Sequence, residues 1–193
     1  MANLDWRSFL ADWSKELIAC EEIAQKLPSE IKASEWLGYP AATEEQIARA
    51  ESRLGKALPT SYREFLKVSN GWRTTGFFID KIWSTEEIEW FRVRHHEWIA
   101  DWNLGAAAYA ASNPKSAAPT GDDDGRDLPF VLEISDVGDS AIYLLNPLVV
   151  AGDGEWQAWF FSNWNPGSVR HRSFQEMMEA ERRNFLFVRD HRR

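Results

Sequence analysis

Apolar residues recur at steps of three and four through residues 4–27, as Trp6, Phe9 or Leu10, Trp13, Leu17, Cys20, Ala24 and Leu27. That spacing predicts one amphipathic helix with a charged outer face, ended by Pro28. Trp36-Leu37-Gly38-Tyr39-Pro40 reads as extended, because a residue before proline is pushed out of helical space. The pattern is sharpest over residues 43–72. Thr43 followed by Gln46 has the form of a capping box, in which each side chain satisfies an orphan N–H. Ile47, Ala50 and Leu54 then recur at helical spacing, and Gly55 suits the left-handed conformation that ends a helix. Pro59 starts a second helix, where its fixed φ fits and its missing N–H costs nothing. Tyr62, Phe65 and Leu66 form that helix's apolar face, and Asn70-Gly71 turns the chain.

Beyond the turn, Gly76 to Trp83 reads as one or two short strands, with Ser84 or Thr85 capping the next segment. Glu86 to about Ala111 carries Trp90, Phe91, Val93, Trp98, Ile99 and Trp102 and reads as helix, with strand an alternative at its start. Residues 112–129, with Pro114, Pro119, Gly121 and a run of Asp, read as a long loop. Phe130–Ile134 and Ala141–Leu145 predict strands joined by a turn at Asp136–Ser140, the second ended by Asn146-Pro147. Asp153-Gly154 predicts a hairpin into Trp156–Phe161. Ser173 caps a final helix through about Phe187, rich in Glu early and Arg late, which complements the helix dipole. Helices, then hairpin-linked strands, then a helix predict an α+β fold, an antiparallel β-sheet with helices packed on it.

The ordered set Glu44-Glu45-x-Ile47, Glu51, Leu54-Gly55, Leu58-Pro59, Tyr62, Phe65-Leu66 and Asn70-Gly71 resembles the signature of the SUKH superfamily. Ile134-Ser-Asp136, Gly138-Asp139, Tyr143-Leu144-Leu145-Asn-Pro147 and a Trp-containing strand come in the same order as in similar proteins. The resemblance implies a SUKH-like core over residues 36–180 within a single domain of residues 1–193. Residues 1–35 then form an N-terminal helical extension, and residues 181–193 a basic C-terminal helix end. Such domains are known mainly as bacterial immunity proteins against polymorphic toxins, with relatives among regulators of cell-wall assembly. The resemblance therefore implies a non-enzymatic protein whose partner is a cognate protein toxin. The alternative is an intracellular regulatory scaffold with no toxin partner.

The charge narrows the partners. A net charge of −8 argues against nucleic acid, whose phosphates need a surplus of Lys and Arg on one face. It suits a basic protein partner, whose encounter an acidic surface accelerates. One cysteine, Cys20, excludes an intramolecular disulfide and fits a reducing compartment. The N-terminus has no basic region followed by an apolar run, and no stretch reaches the roughly 18 apolar residues of a spanning helix. Cytoplasm is the default expectation, with no membrane association. Eleven tryptophans are not an ordinary number; most are expected to build the core and its rim, and the sharper reading has a few exposed as anchors for a partner.

No motif for a cofactor, metal or catalytic group stands out. His95-His96-Glu97 lacks the i, i+4 pairing that sets two imidazoles on one helical face. Aligning Asp122-Asp123-Asp124-Gly125-Arg126-Asp127 as a calcium loop puts Thr120 and Val131 where carboxylates are required. The run then reads as a solvated acidic loop, a looser cation site, or a surface neutralised by another protein's basic side chains. A glycosidase-like pair of carboxylates is a further reading, but thirty acidic residues single out no pair. The expected partner-binding residues are Asp122, Asp123, Asp124 and Asp127 for steering and pairing, with Trp83 and Trp90 as anchors.

Overall fold

Over most of their length the two long strands of this chain are buried on both faces, and the rest of the architecture covers them. The computed structural model describes residues 4–100, 124–162 and 168–192. Five helices come first: α1 (Trp6–Ile18), α2 (Glu21–Ala24), α3 (Ser29–Ser34), α4 (Glu44–Leu54) and α5 (Thr60–Val68). A five-stranded sheet comes next, of β1 (Glu89–Trp90), β2 (Leu132–Glu133), β3 (Ala141–Val150), β4 (Trp156–Ser162) and β5 (Ser168–His171). The strands pair antiparallel in sequence order, and a C-terminal helix, Phe174–His191, closes the fold. The α+β expectation is what the chain adopts.

Side chains alternate between the faces of the sheet, so each face has its own core. Ala141, Tyr143 and Leu145 of β3, with Trp156, Ala158 and Phe160 of β4, join the large core. Leu10 and Trp13 of α1, Ile47 of α4, Phe65 of α5 and Phe174 and Met178 of the C-terminal helix complete that layer. Ile142, Leu144, Trp159 and Phe161 point the other way, against Phe91, Leu128 and Val131. The tryptophans divide accordingly: Trp6, Trp13, Trp72, Trp83, Trp156 and Trp159 are buried, Trp36 and Trp90 half-buried, and Trp98 exposed.

The helical hairpin forms as its residues dictate. Gln46 donates its backbone N–H to Thr43 Oγ1 at 3.2 Å and accepts from the Thr43 N–H at 2.9 Å, completing the capping box. Gly55 is left-handed at φ 69° and ends α4. Glu51 then ties the connection, accepting from the Leu58 N–H at 2.8 Å and from Arg63 at 2.5 Å. Further on, Gly138 passes so close to the loop at Phe78 that a Cβ there would lie 2.1 Å from the Phe78 carbonyl oxygen.

Several elements differ from expectation. The single helix over residues 4–27 is broken at Cys20, whose extended backbone redirects the chain while Ile23 still reaches the core. The strands expected between Gly76 and Trp83 reduce to isolated bridges, Trp72 with Ile82 and Ile82 with Ser135. There the Thr74 hydroxyl bonds the Gly76 and Ile79 carbonyls, a local alternative to a ladder. Residues 84–87 form a turn rather than a helix start, and helix is confined to Phe91–Arg94 and residues 96–100 within the described part of that stretch. Residues 101–111, and 112–123 of the expected loop, lie outside the described residues. Asp124–Asp127 and Leu128–Phe130 are single helical turns. β3 runs on through Asn146-Pro147 to Val150, because a bulge there accommodates a residue that cannot donate to the ladder. β5 was not expected: its four residues are too few and too polar to show alternation. Among the described residues no helix is long and apolar enough to cross a membrane.

Two buried carboxylates join the layers. Glu155, at the mouth of the β3–β4 hairpin, accepts from the Ser61 N–H at 2.7 Å and from its hydroxyl at 2.6 Å. α5 has no side-chain cap at Pro59, so Glu155 caps it from across the fold. Glu155→Ala leaves that N–H unpaired and is expected to cost about 1–3 kcal/mol in denaturant unfolding, with Glu155→Gln milder. On the C-terminal helix, Glu181 accepts from the Tyr143 hydroxyl at 2.6 Å, and Thr75 Oγ1 lies 2.8 Å from the same hydroxyl. Burial pushes the Glu181 carboxyl up to about 7, although the Tyr143 hydrogen bond opposes it. Because the folded chain holds this proton more tightly than the unfolded one, the contribution is complete below about pH 4.5 and lost as pH rises through about 7. Its full size is roughly 3 kcal/mol. Glu181→Gln keeps an acceptor for Tyr143 and removes the titration. Its stability relative to the parent, read by urea unfolding, is expected to rise from pH 5 to pH 8; parallel profiles would refute this.

Candidate functional site

Two surface clefts flank the signature hairpin. The larger, about 450 Å³, is lined by Tyr39, Pro40, Ala41, Gln46, Asn70, Lys81, Ser84 and Glu87. Asn70 shapes it: its side-chain oxygen accepts from the Thr85 N–H at 2.8 Å, and its amide donates to Glu86 at 3.2 Å. Glu87 accepts from the Ser84 N–H at 2.9 Å and forms an ion pair with Lys81. Burial pushes the Glu87 carboxyl up, but the hydrogen bonds from Lys81 and Ser84 outweigh it and hold it below its ordinary value. Arg73 stacks over the Tyr39 ring at 4.1 Å. The charged groups of this cleft are thus bonded to one another, an arrangement that fixes the 84–87 turn and presents a polar surface.

The second cleft, about 220 Å³, lies at the C-terminal end of α4 and is lined by Leu54, Gly55, Lys56, Trp90, Arg92, Phe130, Pro147 and Leu148. Its wall is made by the bulge. Asn146 pairs with Gln157 and Val150 with Trp156, so β3 advances four residues while β4 advances one. The surplus residues, Pro147 to Val149, loop out of the ladder. Asn146 holds the base of this loop, accepting from the Leu148 N–H at 2.9 Å and donating to Asp127 at 2.6 Å.

The expected partner-binding residues fall in different places. Trp90 lines the second cleft, half-buried, with its indole N–H donated to the Leu54 carbonyl at 3.2 Å. That bond also satisfies a carbonyl at the end of α4, which otherwise lacks an intrahelical partner. Asp127 stands beside the same bulge through Asn146. Trp83 is elsewhere and buried, 7% exposed. Its N–H donates to Asp136, and the Arg94 guanidinium covers its ring at 4.3 Å, so little of it is presented to a partner. Asp124 opens the helical turn Asp124–Asp127, while Asp122 and Asp123 lie outside the described residues.

Sequence reasoning passed over Phe130, Leu148, Val149 and Val150, all exposed, and the cations Lys56 and Arg92 beside them. The signal is present: an apolar triplet directly after the Asn-Pro that reads as the end of the strand. Among the described residues no three His, Cys, Asp or Glu side chains converge as a metal-ligating group. The second cleft instead offers apolar contact edged by positive charge.

A comparison with curated proteins found no match. Residues 41–180 match the SMI1 / KNR4 family (SUKH-1), a family that includes immunity proteins and cell-wall regulators. That span begins just before the Thr43 cap, takes in the hairpin and the whole sheet, and ends within the C-terminal helix. With most of its length covered by the match, the chain belongs to the SMI1 / KNR4 family.

Proposed function

We propose that this protein is an immunity-type protein, which binds a cognate bacterial polymorphic toxin and neutralises it by contact, in the cytoplasm and without chemistry of its own. Membership in the SMI1 / KNR4 family is the observation that carries the reading. The exposed apolar bulge beside Trp90 and Asp127 supports it, since clustered apolar side chains on a surface mark sites of protein contact. Protection of this kind requires a dissociation constant on the order of nanomolar or below, about −12 kcal/mol or more favourable. A few well-packed aromatic anchors within an interface of ordinary size supply that. The net charge of −8 accelerates encounter with a basic toxin, with Asp122, Asp123, Asp124 and Asp127 as the proposed steering group.

The test is protection. A toxin module encoded next to this chain, expressed in bacteria, is expected to kill cells lacking this protein and to spare cells that make it. Equal death in both cultures would sink the immunity reading and favour a cell-wall regulator without a toxin partner. Replacing the four Asp residues with Asn is expected to slow association with that toxin by about tenfold at low salt and to flatten its salt dependence. An unchanged association rate removes the steering role.

A further inference from the structure

Three features meet where β3 leaves its ladder. The bulge sets Leu148 at 54% exposure and Val150 at 51%, and Phe130, at 48%, lines the same cleft as Leu148. Trp90 completes the apolar lining, and its bond to the Leu54 carbonyl fixes the indole in place, so the cleft exists before anything binds. The third feature is charge. In a chain of net charge −8, the charged residues lining this cleft are Lys56 and Arg92.

Neither cation forms an ion pair among the described residues. Lys56 lies 5.7 Å from the Trp156 ring centroid, and Arg92 lies 5.5 Å from that of Trp90 and donates to the Pro129 carbonyl at 2.9 Å. A preformed apolar cleft edged by two such cations is complementary to an apolar side chain with a carboxylate close by. The long-range field and the local surface thus have opposite signs. Net charge governs approach from beyond the Debye length of about 8–10 Å, whereas the lining of the cleft governs what fits once the surfaces meet.

We infer that this cleft receives a short segment of a partner protein carrying a large apolar side chain and, one or two residues away, an Asp or Glu. The inference rests on the reading that the domain acts by binding protein, and it specifies the chemistry of what is bound. The apolar side chain enters between Trp90, Phe130 and Leu148, while the carboxylate meets Lys56 and Arg92. A second copy of this chain is the poorer occupant, because a two-fold contact of the patch with itself sets like charges against each other.

A random peptide library displayed on phage, panned against the full chain, tests this without knowledge of any toxin. The expected result is enrichment of sequences with Asp or Glu within two residues of Leu, Phe or Trp. A labelled peptide of the enriched sequence is then expected to lose at least tenfold in affinity to the Leu148→Asp variant, and at least fivefold to Lys56→Glu/Arg92→Glu. Exchanging the acid for Lys in the peptide should restore binding to the doubly reversed variant. Because these side chains are on the surface, thermal unfolding serves as the check that each variant folds. No enrichment, enrichment of basic or uncharged sequences, or binding that ignores the substitutions would each overturn the inference. So would a dimer in sedimentation that Leu148→Asp dissolves, since it makes a second copy the occupant. Protection from a toxin that binds all these variants equally would leave the immunity reading standing and the cleft wrong.

Discussion

Burial of β3 and β4 on both faces is the constraint on which the rest of the fold depends. A strand with one wet face tolerates polar residues at alternate positions, but here Tyr143 and Leu144 are consecutive and both fully buried. A one-residue slip of the hairpin would exchange the contents of two unlike cores, the larger aromatic-rich and helical, the smaller built from Phe91, Leu128 and Val131. Both layers are therefore required. α1 belongs to the larger layer: Trp13 packs near Trp72, and Arg182 of the C-terminal helix forms paired bonds to Glu16 at 2.7 and 2.5 Å.

The family signature has a physical meaning within this fold. Glu51 looks like one of many surface acids, yet it holds the Leu58 N–H and Arg63 and so links the connecting turn and α5 back to α4. Asn70 looks like a turn residue, yet it binds the 84–87 turn from both ends of its amide. These residues maintain the hairpin and its attachment to the sheet. Leu148 and Val149 of the bulge and Lys56 just past α4 lie outside that set, on the surface rather than in the core.

The sequence was most legible where structure is local. The capping box, the Gly55 stop, the Ser173 cap and the turn at Asp153-Gly154 depend on residues a few positions apart, and each is readable from the local sequence alone. Contacts between distant residues were not. The cap that Glu155 supplies to Ser61 and the burial of Trp83 under Arg94 leave no periodic trace. The break at Cys20 was hidden because the apolar period continues through it; the chain bends while its inward side chains keep their spacing. The site was only partly legible for a related reason. Trp90 and Asp127 were picked by residue type, but that they flank one bulge depends on Asn146, a residue that reads only as the end of a strand.

The bulge has a consequence for inheritance. Register in the hairpin is set by the paired residues on either side of it, Asn146 with Gln157 and Val150 with Trp156. Pro147, Leu148 and Val149 lie between those pairs and are counted by neither strand's alternation. The exposed side chains of Leu148 and Val149 can be replaced generation by generation while every core residue keeps its face and its neighbour. A lineage can therefore change the chemistry of this surface and leave the fold beneath it untouched.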